Sequence, residues 1–93
     1  MNDRPTRHER IDEVAATLRA WAMREGFDYD SLFDELCERG TARALRVSIA
    51  TVSRWYWEGT GPIRPVRVLS GRRWYRVTDI AAWLVDGEIE VAN

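Results

Sequence analysis

The spacing of apolar residues changes period near Pro62 in this 93-residue chain. Before it, apolar residues recur at intervals of three and four, as they do in helices with one buried face. After it, Val66 and Val68 alternate with Arg67, and Tyr75 and Val77 with Trp74 and Arg76, which is the period of two that belongs to strands. A chain of this length forms one domain, and its 45% hydrophobic content with five Trp allows a small core. The expected fold is mainly α with a small β-hairpin, with residues 1–93 folding as a single domain.

Thr6-Arg7-His8-Glu9 fits a capping box, in which Thr6 and the residue three positions on satisfy each other's backbone N–H groups. The first helix is therefore expected over 7–25, with Ile11, Val14, Ala15, Leu18, Trp21 and Ala22 on its apolar stripe and Gly26 as a left-handed stop. Arg4, Arg7 and Arg10 are either a basic arm for backbone phosphates or a solvated helix start. Asp28, Asp30 or Ser31 can cap a second helix over about 30–45, along which Leu32, Phe33, Leu36, Cys37, Gly40, Ala44 and Leu45 keep one face. Gly40 costs such a helix about 1 kcal/mol relative to Ala, so a break at Gly40-Thr41, with Thr41 recapping, is the other reading. Cys37 lies on the apolar stripe and reads as a buried, inert thiol.

Arg46-Val47 reads as a turn and Ser48 as the N-cap of a third helix that Gly59 ends. On it Ile49, Val52, Trp55 and Tyr56 share the packing side, and Ala50, Ser53, Arg54 and Trp57 share the other. A hairpin turning at Ser70-Gly71-Arg72 follows. Thr78 then caps a last helix with Ile80, Trp83 and Leu84 inward and Gly87 as its stop.

The net charge of −1 conceals a segregation. Residues 1–40 carry six Arg against ten Asp and Glu, residues 41–85 eight Arg against only Glu58 and Asp79, and residues 86–93 three acids and no base. A basic middle between acidic ends points to a nucleic-acid face. All fourteen basic residues are Arg, whose planar fork suits phosphate and guanine. Lone Cys37 cannot form an internal disulfide, His8 is the single histidine, and no cluster has metal-ligand spacing, so neither metal nor cofactor is expected. Without a phosphate-binding loop, a defensible carboxylate pair or a nucleophile with its base, the chain does not read as an enzyme. No apolar run nears the ~20 residues of a membrane span and no signal core precedes residue 10, so a cytoplasmic protein of a bacterial host, at the nucleoid when bound, is expected.

Residues 42–84 resemble the winged helix-turn-helix module of MerR-type DNA-binding domains, AlpA-like regulators and phage excisionases. The resemblance rests on Ala42, Leu45, Val47-Ser48, Thr51-Val52, Arg54-Trp55, Glu58-Gly59, Pro62, Gly71-Arg72, Tyr75, Thr78-Asp79-Ile80 and Trp83-Leu84, in the order turn, helix, hairpin, helix. It implies a winged helix-turn-helix over 41–85, with 7–40 as an added N-terminal helical extension and 86–93 as an acidic tail. It also implies that Ser48, Ala50, Thr51, Ser53, Arg54 and Trp57 face the major groove, and that the wing and its flank, Arg67, Gly71, Arg72, Arg73 and Arg76, approach the minor groove or backbone. Arg54 can fork onto guanine, and arginine suits a narrow, electronegative minor groove. Two positions depart from the pattern. Arg46 stands where the family commonly has Gly, which strains the turn if it requires positive φ, and Trp74 stands on the outward side of the wing strand where Arg is common.

A MerR-type activator carries a dimerisation helix and a sensor after this module, and only residues 86–93 follow here. The expected role is therefore an excisionase that binds repeated sites on double-stranded DNA cooperatively, bends it and directs a phage integrase toward excision. The alternatives are a small AlpA- or MerR-like transcriptional regulator and a protein-binding winged-helix adapter. Head-to-tail self-association of acidic and basic patches is the expected route to cooperativity.

Overall fold

A computed structural model of the chain describes residues 4–92, with side chains as far as Glu88; residues 1–3 and Asn93, the end of the expected acidic tail, lie outside the described residues. Among the described residues there are four helices and a small four-stranded antiparallel sheet, in the order α1 (Arg7–Glu25), β1 (Tyr29–Asp30), β2 (Glu35–Cys37), α2 (Glu38–Leu45), α3 (Ile49–Glu58), β3 (Arg67–Leu69), β4 (Arg72–Arg76) and α4 (Val77–Ala92). No helix among them is long and apolar enough to cross a membrane.

The first helix has the expected bounds and the expected caps. Thr6 Oγ1 accepts the Glu9 N–H at 3.1 Å, Glu9 returns a bond to the Thr6 N–H, and Gly26 at φ 76° turns the chain out of the helix. Its buried stripe, Ile11, Ala15, Leu18 and Ala22, packs on Ile80, Ala81 and Val85 of α4. Arg7 pairs with Asp86 at 2.8 Å and Arg10 with Glu88 at 2.7 Å, so the start of α1 lies beside the far end of α4 and the two run antiparallel. Gly87 therefore does not stop the last helix as expected, nor does Thr78 begin it, since α4 runs from Val77 to Ala92. Residues 86–92 of the expected acidic tail continue this helix, and the pairs of Asp86 and Glu88 with α1 help offset the cost of one helical glycine. Trp83, expected inward, is 42% exposed.

The helix expected over 30–45 is the main correction. Residues 29–37 form a hairpin, and only residues 38–45 are helical. Asp30, a candidate helix cap, does accept two backbone N–H groups, from Leu32 at 2.9 Å and Phe33 at 3.2 Å. The same side-chain bonds serve a reversing turn as well as a helix start. Here the chain reverses, with Asp34 at φ 57°, and Leu32 is left 81% exposed at the tip. What selects the hairpin is a partner distant in sequence: β2 pairs with β4 through Glu35↔Arg76, Leu36↔Tyr75 and Cys37↔Trp74. The strand order is β1-β2-β4-β3, so the expected two-stranded wing is half of a larger sheet.

Leu36 and Tyr75 are wholly buried on the helix side of that sheet. Cys37 ends β2 and caps α2, with Sγ accepting the Gly40 N–H at 3.3 Å, and it is buried, as expected of a structural thiol. Gly40 lies inside α2 with no break, and a methyl there would stand 2.9 Å from Leu36 Cγ. Strand, cap and helix are thus packed into one compact corner that sets the start of α2.

Candidate nucleic-acid interface

Helices α2 and α3 are joined by a turn that holds Arg46 at φ 59°, ψ 41°. The Arg46 N–H reaches the Arg43 carbonyl at 3.1 Å and the Val47 N–H reaches the Ala42 carbonyl at 3.0 Å, closing the end of α2. A residue other than glycine pays about 1–2 kcal/mol for this conformation. The strain foreseen for Arg46 is present.

Ser48 caps α3, accepting the Thr51 N–H at 3.1 Å and sharing a 2.8 Å hydroxyl bond with Thr51 Oγ1. Val52 is buried and Trp55 packs on the core beneath it, whereas Ile49, expected on the packing side, is 48% exposed. Gly61 makes the Trp55 position possible, because a methyl there would stand 2.5 Å from Trp55 Cγ. At the far end of α3, Arg64 donates to the carbonyls of Trp55, Gly59 and Thr60. A cation at a helix C-terminus is favoured by the macrodipole.

Of the residues expected to read DNA, Ala50 and Arg54 are exposed and Arg54 has no ion-pair partner among the described residues. Trp57 is 74% exposed and stacks edge-on against Tyr56 with centroids 5.0 Å apart. Ser53 is half-buried and its Oγ accepts from Arg73 at 3.1 Å.

The β3–β4 hairpin turns through Ser70 at φ 53° and Gly71 at φ 78°, the pair of positive φ values that suits a two-residue hairpin. Its arginines are largely engaged within the chain. Arg73 forks onto Glu38 and lies 4.7 Å from the Tyr56 ring centroid and 5.9 Å from that of Trp57. Arg67 bonds Asp30 at 2.9 Å and Glu35 at 2.8 Å, and Arg72 bonds Asp28 at 2.5 Å. Arg76, at the end of β4, is exposed and has no ion pair among the described residues. Trp74 is half-buried on the sheet face away from the helices, with Arg67 at 5.5 Å and Arg72 at 5.0 Å from its ring centroid.

The pairing carries its own electrostatics. Hydrogen bonding to Glu38 holds the Arg73 guanidinium above its ordinary range, and burial, reinforced by the Glu38 carboxylate, pushes the Tyr75 hydroxyl up to about 12. At the turn between β1 and β2, Arg19 of α1 forks onto Asp34 through two 2.8 Å bonds, and Tyr29 donates to the same carboxylate at 2.7 Å. These bonds hold Asp34 below the usual carboxylate range, the Arg19 bond being the largest cause.

Sequence reasoning missed Arg39 and Arg43 as surface candidates and treated Arg46 only as a strained turn residue. All three are exposed and none has an ion-pair partner among the described residues, Arg39 lying 5.7 Å from the Phe27 ring centroid. The spacing of four puts Arg39 and Arg43 on one side of α2, a signal present in the sequence, and Arg46 follows in the turn. The carboxylates that take up the arginines of β3 and β4, by contrast, lie 32 to 44 residues away in the chain. Comparison with protein-family models, with curated proteins and with solved structures finds no match to this chain.

Proposed function

We propose that this protein is a sequence-specific, double-stranded-DNA-binding protein of the winged helix-turn-helix kind, with α3 in the major groove and the β3–β4 hairpin as its wing. One observation carries the reading. Every arginine between Glu38 and Glu58, namely Arg39, Arg43, Arg46 and Arg54, lacks a carboxylate partner among the described residues and is exposed, whereas Arg67, Arg72 and Arg73 are paired. In a chain with more acids than bases, that leaves the cations on the short helix, the turn and the next helix, where a backbone-crossing helix and a reading helix present them to DNA.

In this reading Arg54 forks onto a base edge, Ala50 and Trp57 make apolar contacts, and Arg39 and Arg43 reach phosphates. The wing contributes Gly71, Arg72 and Arg76, with Arg72 exchanging Asp28 for a phosphate on binding. Arg67, Arg73 and Ser53 hold the frame. Such a module buries about 600–1,000 Å² and binds modestly alone. The role we propose is excisionase, with several copies on repeated sites bending the DNA so that a phage integrase is directed toward excision. Asp86 and Glu88 pair within the chain, so cooperativity between copies comes through the shared bend rather than through an acidic tail.

Footprinting with bend analysis on the DNA beside the protein's own gene tests the role. Phased, repeated protection with strong bending is expected, and one palindromic footprint instead identifies a dimeric regulator. Arg54→Ala tests the reading helix: a loss of about 1–3 kcal/mol on the cognate site with flattened discrimination at one position is expected. An unchanged sequence preference removes Arg54 from the readout.

A further inference from the structure

Between the C-terminal half of α1 and the α2–α3 turn lies an open groove of about 640 Å³. Leu18, Trp21 and Val47 give it an apolar floor, and Arg24, Arg43 and Arg46 line it. None of these three arginines has an ion-pair partner among the described residues, although the chain matches arginine to carboxylate at most of its other arginine-rich places: Arg7 to Asp86, Arg10 to Glu88, Arg19 to Asp34, Arg73 to Glu38. The ends of α1 and α2 reach this groove, and each helix end supplies only about half a negative charge. Against three guanidinium groups, that leaves the groove strongly positive.

We infer that this groove takes one phosphodiester strand of the DNA that α3 reads, so that the added helix α1 is a second backbone contact and not only an enlargement of the core. The inference rests on the proposed DNA binding. Two observations favour a nucleic-acid strand over an acidic protein segment. Ser48, the N-cap of α3, forms part of the groove wall, so the groove is continuous with the reading surface. A duplex approached by the start of α3 brings a backbone strand to that edge, with a charge density that three convergent arginines match. The apolar floor then packs against deoxyribose. Arg24, from α1, lies outside the helix-turn-helix itself and is the residue on which the inference turns.

The test uses the full chain, a duplex carrying its footprinted site and a random duplex of equal length. Arg24→Gln and Arg43→Gln replace exposed, unpaired side chains, and unchanged thermal melting checks that both variants fold. Each is expected to weaken both duplexes alike and to lower the salt slope by about 1, so that the fall in affinity between about 50 and 200 mM salt shrinks about 3.5-fold per variant. Ethylation interference is expected to lose contacts at phosphates flanking the site in Arg24→Gln. An Arg24→Gln protein with wild-type affinity, slope and interference overturns the inference, while Arg54→Ala still losing discrimination leaves the reading helix intact. Failure of the wild-type chain to bind either duplex at low salt overturns both. Binding of a glutamate-rich apolar peptide that Arg24→Gln abolishes, with DNA binding unaffected, assigns the groove to a protein instead.

Discussion

The Arg73 guanidinium forks onto the Glu38 carboxylate with both side chains almost buried, at 14% and 15% exposure. This contact ties β4 to the start of α2, and the further bond from Arg73 to Ser53 Oγ ties both to α3. An arginine on β4 thus fixes how α3 sits against the sheet and α2.

Arg73→Ala is expected to destabilise the fold by on the order of 3 kcal/mol, because it leaves Glu38 buried without its cation. Urea unfolding measures this. A stable Arg73→Ala protein whose salt slope falls by about 1 would make Arg73 a phosphate contact instead.

Arg72 is the contrasting case. Its pair with Asp28 is more than half exposed on both sides, so Asp28→Asn should change stability by no more than a few tenths of a kcal/mol. If the β3–β4 hairpin contacts DNA as proposed, the variant also removes a carboxylate that competes with DNA for Arg72. Binding titrations should show tighter binding to all sequences, and Arg72→Ala weaker binding to all sequences.

Arg46→Gly relieves a left-handed non-glycine residue and is expected to raise stability by about 0.5–1 kcal/mol, after the extra freedom of glycine in the unfolded chain is offset. If the basic groove holds a phosphate strand, the same change weakens DNA binding. Thermal melting and DNA titration on one variant should therefore move in opposite directions.

Asp34 titrates below the usual carboxylate range because Arg19 and Tyr29 bond its ionised form. With the folded value depressed, its contribution is present above the unfolded value of about 4 and is lost as pH falls through the lower folded value. Asn tolerates the left-handed backbone at this position, so Asp34→Asn isolates the charge. The variant should lose on the order of 1 kcal/mol at neutral pH and show a shallower acid limb in pH-dependent unfolding.

Gly61 sits at φ 93° against the Trp55 ring. Gly61→Ala should cost on the order of 2 kcal/mol through backbone strain and overpacking, and should shift Trp fluorescence as Trp55 is displaced.

Much of the scaffold is legible from residues within four positions of one another. Thr6, Glu9 and Gly26 bound α1, Ser48 and Gly59 bound α3, and Ser70-Gly71 turns the wing, each through a bond or a backbone angle that the local residue type decides. The four helices with a small β part, the strain at Arg46 and the exposed Arg54 follow from the same local chemistry. Tertiary structure decided the rest. Strands of two and three residues are too short to display a period, and Leu32, Phe33, Leu36 and Cys37 mimic a helical stripe until β4 offers β2 a partner. Which arginines remain open to a ligand was also decided there. All fourteen are chemically alike, and only the folded chain brings Asp28, Asp30, Glu35 and Glu38 to the β3–β4 hairpin while leaving Arg24, Arg43 and Arg46 without a carboxylate partner among the described residues along one groove.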